Sequence, residues 1–226
     1  MRTELISCKD KTVDLEGFAA FPLRTPAPLV LLCHAWSGKD DFICKEAERM
    51  ASLGFIGFAL DIYGKGVLGR SEEENSALKK PFLLDRTLLK RRLLKGVERA
   101  LALPEVTKMG VLGYGFGGLC SLELASMDLP LACAISVYGH LDARPGSKVK
   151  ILILHGFDDV VTPRDEVLAF GEQMSKDNVD FQLHLFSQTG HAFMHPKSAN
   201  YNPLSRERVE SLTATFLTKA LANDIL

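Results

Sequence analysis

The sequence predicts an α/β fold, in which a mostly parallel, twisted sheet carries helices on both faces. The first observation is that short apolar runs alternate with longer stretches of helical periodicity along the whole chain, which is typical of parallel strands connected by helices. The second is the length of 226 residues, which suits one α/β domain with a sizeable buried core. We therefore predict a single domain over residues 1–226.

Seven stretches are predicted as strands. The first alternates between apolar and polar residues, which indicates an antiparallel strand at the edge of the sheet. The six others are short apolar runs of the kind found in buried parallel strands. In chain order the predicted strands cover residues 13–22, 29–34, 55–61, 108–113, 131–138, 150–155 and 180–186.

Five helices are predicted between and after these strands. The second is long and basic and carries a leucine-rich stripe, and the fourth begins at Thr162-Pro163, a typical N-cap followed by proline at the first helical position. The polar segment 64–80 is predicted as a surface excursion, which either borders the functional site or is a plain solvated loop. The predicted helices cover residues 41–53, 81–102, 117–127, 162–177 and 205–222.

The composition excludes several classes of protein. Hydrophobic residues make up 46% of the chain, charged residues make up 24%, and the formal net charge is -1, so neither nucleic acid nor an acidic membrane surface is an expected partner. The N-terminal segment has no apolar run long enough for a signal peptide or a membrane span. Five cysteines without C-x-x-C spacing indicate free thiols in a reducing compartment, and we expect a soluble cytoplasmic protein.

A glycine-rich turn follows the predicted strand 108–113 and opens a helix. Gly113, Gly115 and Gly118 satisfy the G-x-G-x-x-G pattern of dinucleotide-binding turns. That pattern belongs to the first strand-helix turn and needs an acidic residue at the end of the next strand, whereas here the turn follows a later strand and the next strand ends without an acid. The turn also fits the nucleophile elbow of α/β-hydrolases, G-x-S-x-G, with Gly113 and Gly117 around position 115, and we prefer this interpretation.

The residues downstream of the turn supply the two partners that a nucleophile elbow requires, in the order acid then histidine. Asp159 lies in a turn after the predicted strand 150–155, with Asp158 as the alternative, although aspartate is also common there as a turn former or helix cap. His191 follows the next strand, where it can serve as a general base oriented by Asp159. His195, four residues on, is expected to line the pocket.

An oxyanion hole for such a site requires two backbone N–H donors. One is expected from Phe116, the residue after the nucleophile position, and the other from the loop 34–38 that follows an early strand. Trp36, the only tryptophan of the chain, is the expected second donor and a wall of the substrate pocket.

Together these residues resemble the dienelactone hydrolase family over nearly the whole chain. The resemblance implies a compact α/β-hydrolase without a large cap domain and without a cofactor or metal. It also implies action on esters or lactones of small carboxylic acids through a Cys-His-Asp triad. The segments that carry the resemblance are 34–38, 40–42, 54–66, 113–118, 155–159 and 190–193.

Three features depart from the family pattern. The nucleophile, which is cysteine or sometimes serine in the family, is replaced by Gly115, and the glutamate that follows the histidine of the first motif is replaced by Ala35. The arginines that hold the substrate carboxylate in prototypical members have no counterpart. Lys65 and His195 stand near their places and are the expected substrate-binding residues. Dienelactone itself is therefore not the expected substrate.

Gly115 offers no side-chain nucleophile, so the sequence predicts a chain that is inactive or strongly impaired as a hydrolase. Three accounts remain open: an altered form of an active hydrolase, a natural pseudoenzyme that binds a small molecule without turnover, and direct activation of water by His191 and Asp159. The expected partner is a small-molecule ester or lactone, with no nucleic acid and no membrane. The protein is expected to be a monomer or a homodimer.

Overall fold

Residues 1–222, the part of the chain that this computed structural model describes, form eight strands and six helices. Within this part no helix is long and apolar enough to span a membrane. The strands are β1 (Arg2–Asp10), β2 (Val13–Phe21), β3 (Ala27–Cys33), β4 (Ile56–Ala59), β5 (Val106–Tyr114), β6 (Cys133–Val137), β7 (Lys150–Gly156) and β8 (Phe181–Phe186). The helices are α1 (Asp41–Ser52), α2 (Glu72–Leu84), α3 (Arg86–Leu101), α4 (Phe116–Ala125), α5 (Arg164–Lys176) and α6 (Pro203–Leu221).

The chain divides into two compact units, the first covering residues 1–111 and the second beginning at Leu112. In the first unit the strand order is β1-β2-β4-β3. β2 pairs with both β1 and β4 in antiparallel fashion, and β3 is parallel to β4. The prediction that residues 13–22 form an edge strand is therefore wrong, because β1 lies outside β2. β1 has a largely polar sequence without the apolar run that would indicate a strand, and most of its side chains are exposed.

The predicted helix 81–102 is two helices, and α2 begins inside the predicted surface excursion. The Ser71 hydroxyl accepts a hydrogen bond from the Glu74 N–H at 3.2 Å, an N-cap that the S-x-x-E pattern indicates. Asp85 has extended backbone angles that end α2, and its side chain accepts from the Leu88 N–H at 2.9 Å. Asp85 therefore also caps α3, which separates the two helices.

A buried carboxylate ties β1 to α3 in the first unit. Asp10 is 2% exposed and accepts hydrogen bonds from Arg91 Nε at 2.9 Å and from Arg92 Nε at 3.0 Å. Arg92 Nη1 also donates to the carbonyl oxygen of Ile62 at 2.7 Å. The two guanidinium groups thus neutralise Asp10 and connect α3 to the chain that follows β4.

Strands β6, β7 and β8 pair in parallel in the second unit, and almost all side chains of β6 and β7 are buried. Because the carboxyl ends of parallel strands meet at one edge, the loops after β7 and β8 are neighbours. The turn after β5 reaches the same edge, since the Gly115 N–H donates to Val137 O at 2.9 Å and the Tyr138 N–H donates to Leu154 O at 2.9 Å. This edge carries the candidate site.

Candidate active site

Gly115 joins β5 to α4 in a sharp turn. Its backbone has a φ of +56° and a ψ of -114°, a combination outside the regions that residues with a Cβ readily adopt. Its N–H donates to Val137 O at 2.9 Å, and its carbonyl oxygen accepts from the Gly118 N–H at 2.9 Å. The turn therefore has the unusual backbone geometry that is expected of a nucleophile elbow.

The glycines on either side of this turn permit close packing. A Cβ on Gly113 would overlap the carbonyl oxygen of Gly117. A Cβ on Gly118 would lie 2.6 Å from Ser136 Oγ and 2.7 Å from Gly139 Cα, so α4 runs too close to the end of β6 for a side chain to fit between them. The glycines that suggest a cofactor motif in the sequence are thus explained by the packing of the turn and the helix.

A side chain at position 115 would have room. An ideal Cβ there would lie 3.7 Å from Tyr138 Cε2 and 3.8 Å from His191 Nε2, and these are ordinary van der Waals contacts. The Tyr138 ring stands edge-on to His191, with 5.3 Å between centroids, and to Phe193, with 5.2 Å. A hydroxyl or thiol carried by that Cβ would be within hydrogen-bonding reach of His191 Nε2.

His191 and Asp159 are directly bonded. His191 Nδ1 lies 2.8 Å from Asp159 Oδ2, and Asp159 Oδ1 accepts from the N–H groups of Val161 at 2.8 Å and Thr162 at 3.1 Å. Because an ionised carboxylate can only accept, the imidazole proton is assigned to Nδ1, and Nε2 turns its lone pair toward the elbow. Asp158 is exposed, so the geometry favours Asp159 of the two candidates.

The environment of Asp159 keeps its carboxyl group ionised. Burial raises the pKa of this group, but hydrogen bonds from His155 and His191 lower it more, and the net pKa lies well below its ordinary value. A buried negative charge that touches Nδ1 of His191 stabilises the imidazolium that forms when Nε2 takes a proton.

His155, the penultimate residue of β7, also contacts the acid and was not predicted from the sequence. Its Nε2 lies 3.1 Å from Asp159 Oδ2 and 3.0 Å from the carbonyl oxygen of Thr162. Both partners are acceptors, so Nε2 carries the hydrogen. The ring is fully buried, and its Nδ1 has no hydrogen-bond partner among residues 1–222. The only sequence signal is its position four residues before Asp159 at the end of an apolar run.

Trp36 and Lys65, two of the predicted substrate-binding residues, belong to the first unit. Trp36 is 37% exposed, its carbonyl oxygen accepts from the Tyr63 hydroxyl at 3.0 Å, and Lys79 Nζ lies 5.4 Å from its ring centroid. Lys65 Nζ lies 2.6 Å from Glu16 Oε2, and that hydrogen bond raises the pKa of Lys65. Because Lys65 already pairs with a carboxylate of this chain, it is less suited to bind the carboxylate of a substrate.

Phe116 and His195 lie in the second unit. Phe116 is the first residue of α4, so its amide belongs to a helix N-terminus, where N–H groups can face a developing oxyanion. His195 Nδ1 accepts from the Lys197 N–H at 3.2 Å, and the His195 N–H donates to Ala192 O at 3.0 Å. These bonds place His195 within the tight turn that follows His191.

The second unit thus brings the elbow, the acid and the histidine together. Within residues 1–222 no cluster of three or more histidine, cysteine, aspartate or glutamate side chains is arranged to hold a metal ion. The groups that meet at this edge are an imidazole base and the carboxylate that backs it, next to a turn without a side-chain nucleophile.

Comparison with known proteins matches residues 15–221 to the model of the dienelactone hydrolase family. Protein usf of Aquifex pyrophilus is 25% identical over 96% of this chain and 99% of its own length. A Bradyrhizobium protein named "Probable 2-oxo-3-(5-oxofuran-2-ylidene)propanoate lactonase" is 24% identical over 84% of this chain and 83% of its own.

A solved structure shows the same fold. It is that of a dienelactone hydrolase-like promiscuous phosphotriesterase from metagenomic libraries, which matches with a TM-score of 0.88 and 22% identity over 98% of this chain and 99% of its own. This likeness confirms the predicted α/β-hydrolase fold class without a large cap domain.

Proposed function

The chain belongs to the dienelactone hydrolase family, and from this membership we propose that its site takes small carboxylic esters or lactones for acyl transfer, with the nucleophile position vacated by Gly115. One observation carries the proposal. His191 Nε2 lies 3.8 Å from the place of a Cβ at position 115, while Nδ1 of the same ring is held by Asp159. The base thus points at the atom it would deprotonate in a family member with a nucleophile.

With cysteine or serine at position 115, the site would work in two steps. His191 Nε2 would take the proton of the thiol or hydroxyl as the sulfur or oxygen attacks the ester carbonyl. The oxyanion would face the Phe116 amide, and Asp159 would stabilise the imidazolium. His191 would then give the proton to the leaving alcohol, and a water molecule activated by the same Nε2 would release the acid.

Gly115 removes the first of these steps, because no acyl-enzyme can form on a residue without a side chain. Loss of a triad nucleophile typically costs about 10⁶-fold in kcat and leaves about 10³–10⁴-fold over water from the remaining groups. We propose that His191 activates water directly, which gives slow, single-step hydrolysis. The lactonase name of the Bradyrhizobium relative supports lactones as substrates to be tried beside esters.

The test compares the chain with Gly115→Cys, Gly115→Ser and Gly115→Ala on a panel of p-nitrophenyl esters and small lactones. Gly115→Ala is the matched control, because it carries the Cβ and the backbone cost without a nucleophile. We expect Gly115→Cys to exceed Gly115→Ala by at least about 10²-fold in kcat, with a burst of p-nitrophenol. A folded Gly115→Cys variant that matches Gly115→Ala on every substrate contradicts the proposal.

A binding protein without turnover is the second candidate, and it is favoured by the backbone of Gly115. Its φ of +56° is one that glycine adopts at little cost, so the turn carries less backbone strain with glycine than it would with cysteine or serine. If the chain is a binding protein, it should bind a non-hydrolysable ester analogue saturably. It should also hydrolyse esters no faster than its His191→Gln variant does. Hydrolysis that depends on His191 would exclude this candidate.

A further inference from the structure

We propose that His155 is a positioning residue of this site, which holds the Asp159 carboxylate from behind so that the same oxygen faces His191. The inference rests on the proposed acyl-transfer function, because only that function gives the orientation of His191 a purpose. It adds a second histidine, from β7, to the histidine and the acid that the family resemblance implies.

His191 and His155 share one oxygen of Asp159. Asp159 Oδ2 lies 2.8 Å from His191 Nδ1 and 3.1 Å from His155 Nε2. Its other oxygen is fixed by the N–H groups of Val161 and Thr162. Four donors therefore surround the carboxylate, and His155 and His191 are the two that lie against Oδ2.

The His155 ring is held in place by its hydrogen-bond partners. The side chain is fully buried, and its Nε2 faces two acceptors, Asp159 Oδ2 and Thr162 O, so this nitrogen carries the hydrogen. A proton on Nδ1 as well would be a buried donor without a partner among residues 1–222, which is costly. His155 therefore donates through Nε2, and its buried ring is placed to hold the Asp159 carboxylate.

The two imidazole rings differ in their exposure to solvent. The His191 side chain is 24% exposed, whereas those of His155 and Asp159 are fully buried. The exposed ring can reach a substrate, and the buried ring cannot. With a buried inner donor and a partly exposed outer base on one carboxylate oxygen, the inner residue can set the position of the outer one through Asp159.

The experiment uses three substitutions at this position, each in the chain itself and in Gly115→Cys. His155→Gln keeps a donor near the place of Nε2, His155→Asn keeps the amide but is too short to reach, and His155→Leu removes the donor. If His155→Leu fails to fold, the glutamine and asparagine variants decide the outcome. In the chain itself the readout is the low-field proton NMR signal of His191 Nδ1–H. In Gly115→Cys it is kcat and KM for a p-nitrophenyl ester.

We expect the NMR signal to broaden or vanish in His155→Leu and His155→Asn and to return in His155→Gln. We expect kcat to fall about tenfold in the first two variants with KM within about twofold, and to recover in the third, by analogy with the loss of the residue that orients a metal-bound histidine. An unchanged signal in His155→Leu or His155→Asn overturns the inference, as does a glutamine variant no better than asparagine. Because the NMR readout needs no turnover, it stands even if Gly115→Cys is inactive and the proposed function fails.

Discussion

Replacing Gly115 by alanine should destabilise the fold through the backbone alone. The residue has a φ of +56° and a ψ of -114°, and a non-glycine residue in such a region costs about 1–3 kcal/mol. The added Cβ meets no atom closer than 3.7 Å among the described residues, so a steric cost is absent. The unfolded chain loses entropy when glycine is replaced, which returns about 0.4–1 kcal/mol. The midpoints of these two ranges, about 2 and about 0.7 kcal/mol, leave a net loss of about 1.3 kcal/mol, equivalent to about 3–5 °C in Tm for a chain of this size.

The assay is urea and thermal unfolding of the chain, Gly115→Ala and Gly115→Cys, followed by circular dichroism. We expect the two variants to lose equal stability, because the cost lies in φ and ψ and not in the sulfur. Gly54→Ala is the matched control, since Gly54 has a φ of +93° and an ideal Cβ there meets nothing within 4 Å. A Gly115→Ala variant with an unchanged or higher Tm would refute the reasoning, and so would a loss confined to Gly115→Cys.

Two further predictions concern groups that hold the fold. The hydrogen bond from Arg91, opposed by burial and aided by Arg92, holds the pKa of Asp10 below its ordinary value of 3.8. Ionised Asp10 therefore stabilises the fold above about pH 4, and this contribution is lost as the pH falls further. Urea unfolding at about pH 7 and about pH 3 measures how much unfolding free energy is lost on acidification. This loss should be smaller in Asp10→Asn than in the unsubstituted chain, and an equal loss in both would count against the ion pair. Gly118→Ala should lower the free energy of unfolding by about 3 kcal/mol, at the upper end for overpacking, because the new Cβ would lie 2.7 Å from Gly139 Cα. Urea unfolding measures this, and a smaller loss than in Gly115→Ala would show that α4 can shift away from Gly139.

The sequence predicts much of the second unit because the pattern of parallel strands also fixes where their loops meet. Strands 150–155 and 180–186 are predicted as consecutive apolar runs, and their carboxyl ends necessarily lie at one edge. Asp159 and His191 follow those ends, and the structure places their side chains 2.8 Å apart. Their catalytic roles stay predictions until the variants are measured.

The features that were not predicted depend on contacts between distant residues or on polar sequences. β1 is a polar strand whose place is set by pairing with β2, and no apolar periodicity marks it. The break between α2 and α3 depends on the cap that the Asp85 side chain provides. The leucine stripe of the predicted helix 81–102 gives no sign of this break. The partner of Lys65 is Glu16, and nothing in either local sequence indicates the ion pair. The contact of His155 with Asp159 depends on how the chain turns after β7.

The open space beside Gly115 bears on how readily a mutation could place a nucleophile at this position. An ideal Cβ fits there without displacing any described atom, so a nucleophile at this position would meet no steric barrier and would carry only the backbone cost given above. Glycine codons that end in a pyrimidine differ from those of cysteine and serine by a single base. If codon 115 ends in a pyrimidine, selection for growth on a carboxylic ester should therefore recover cysteine or serine at position 115 by a single base change.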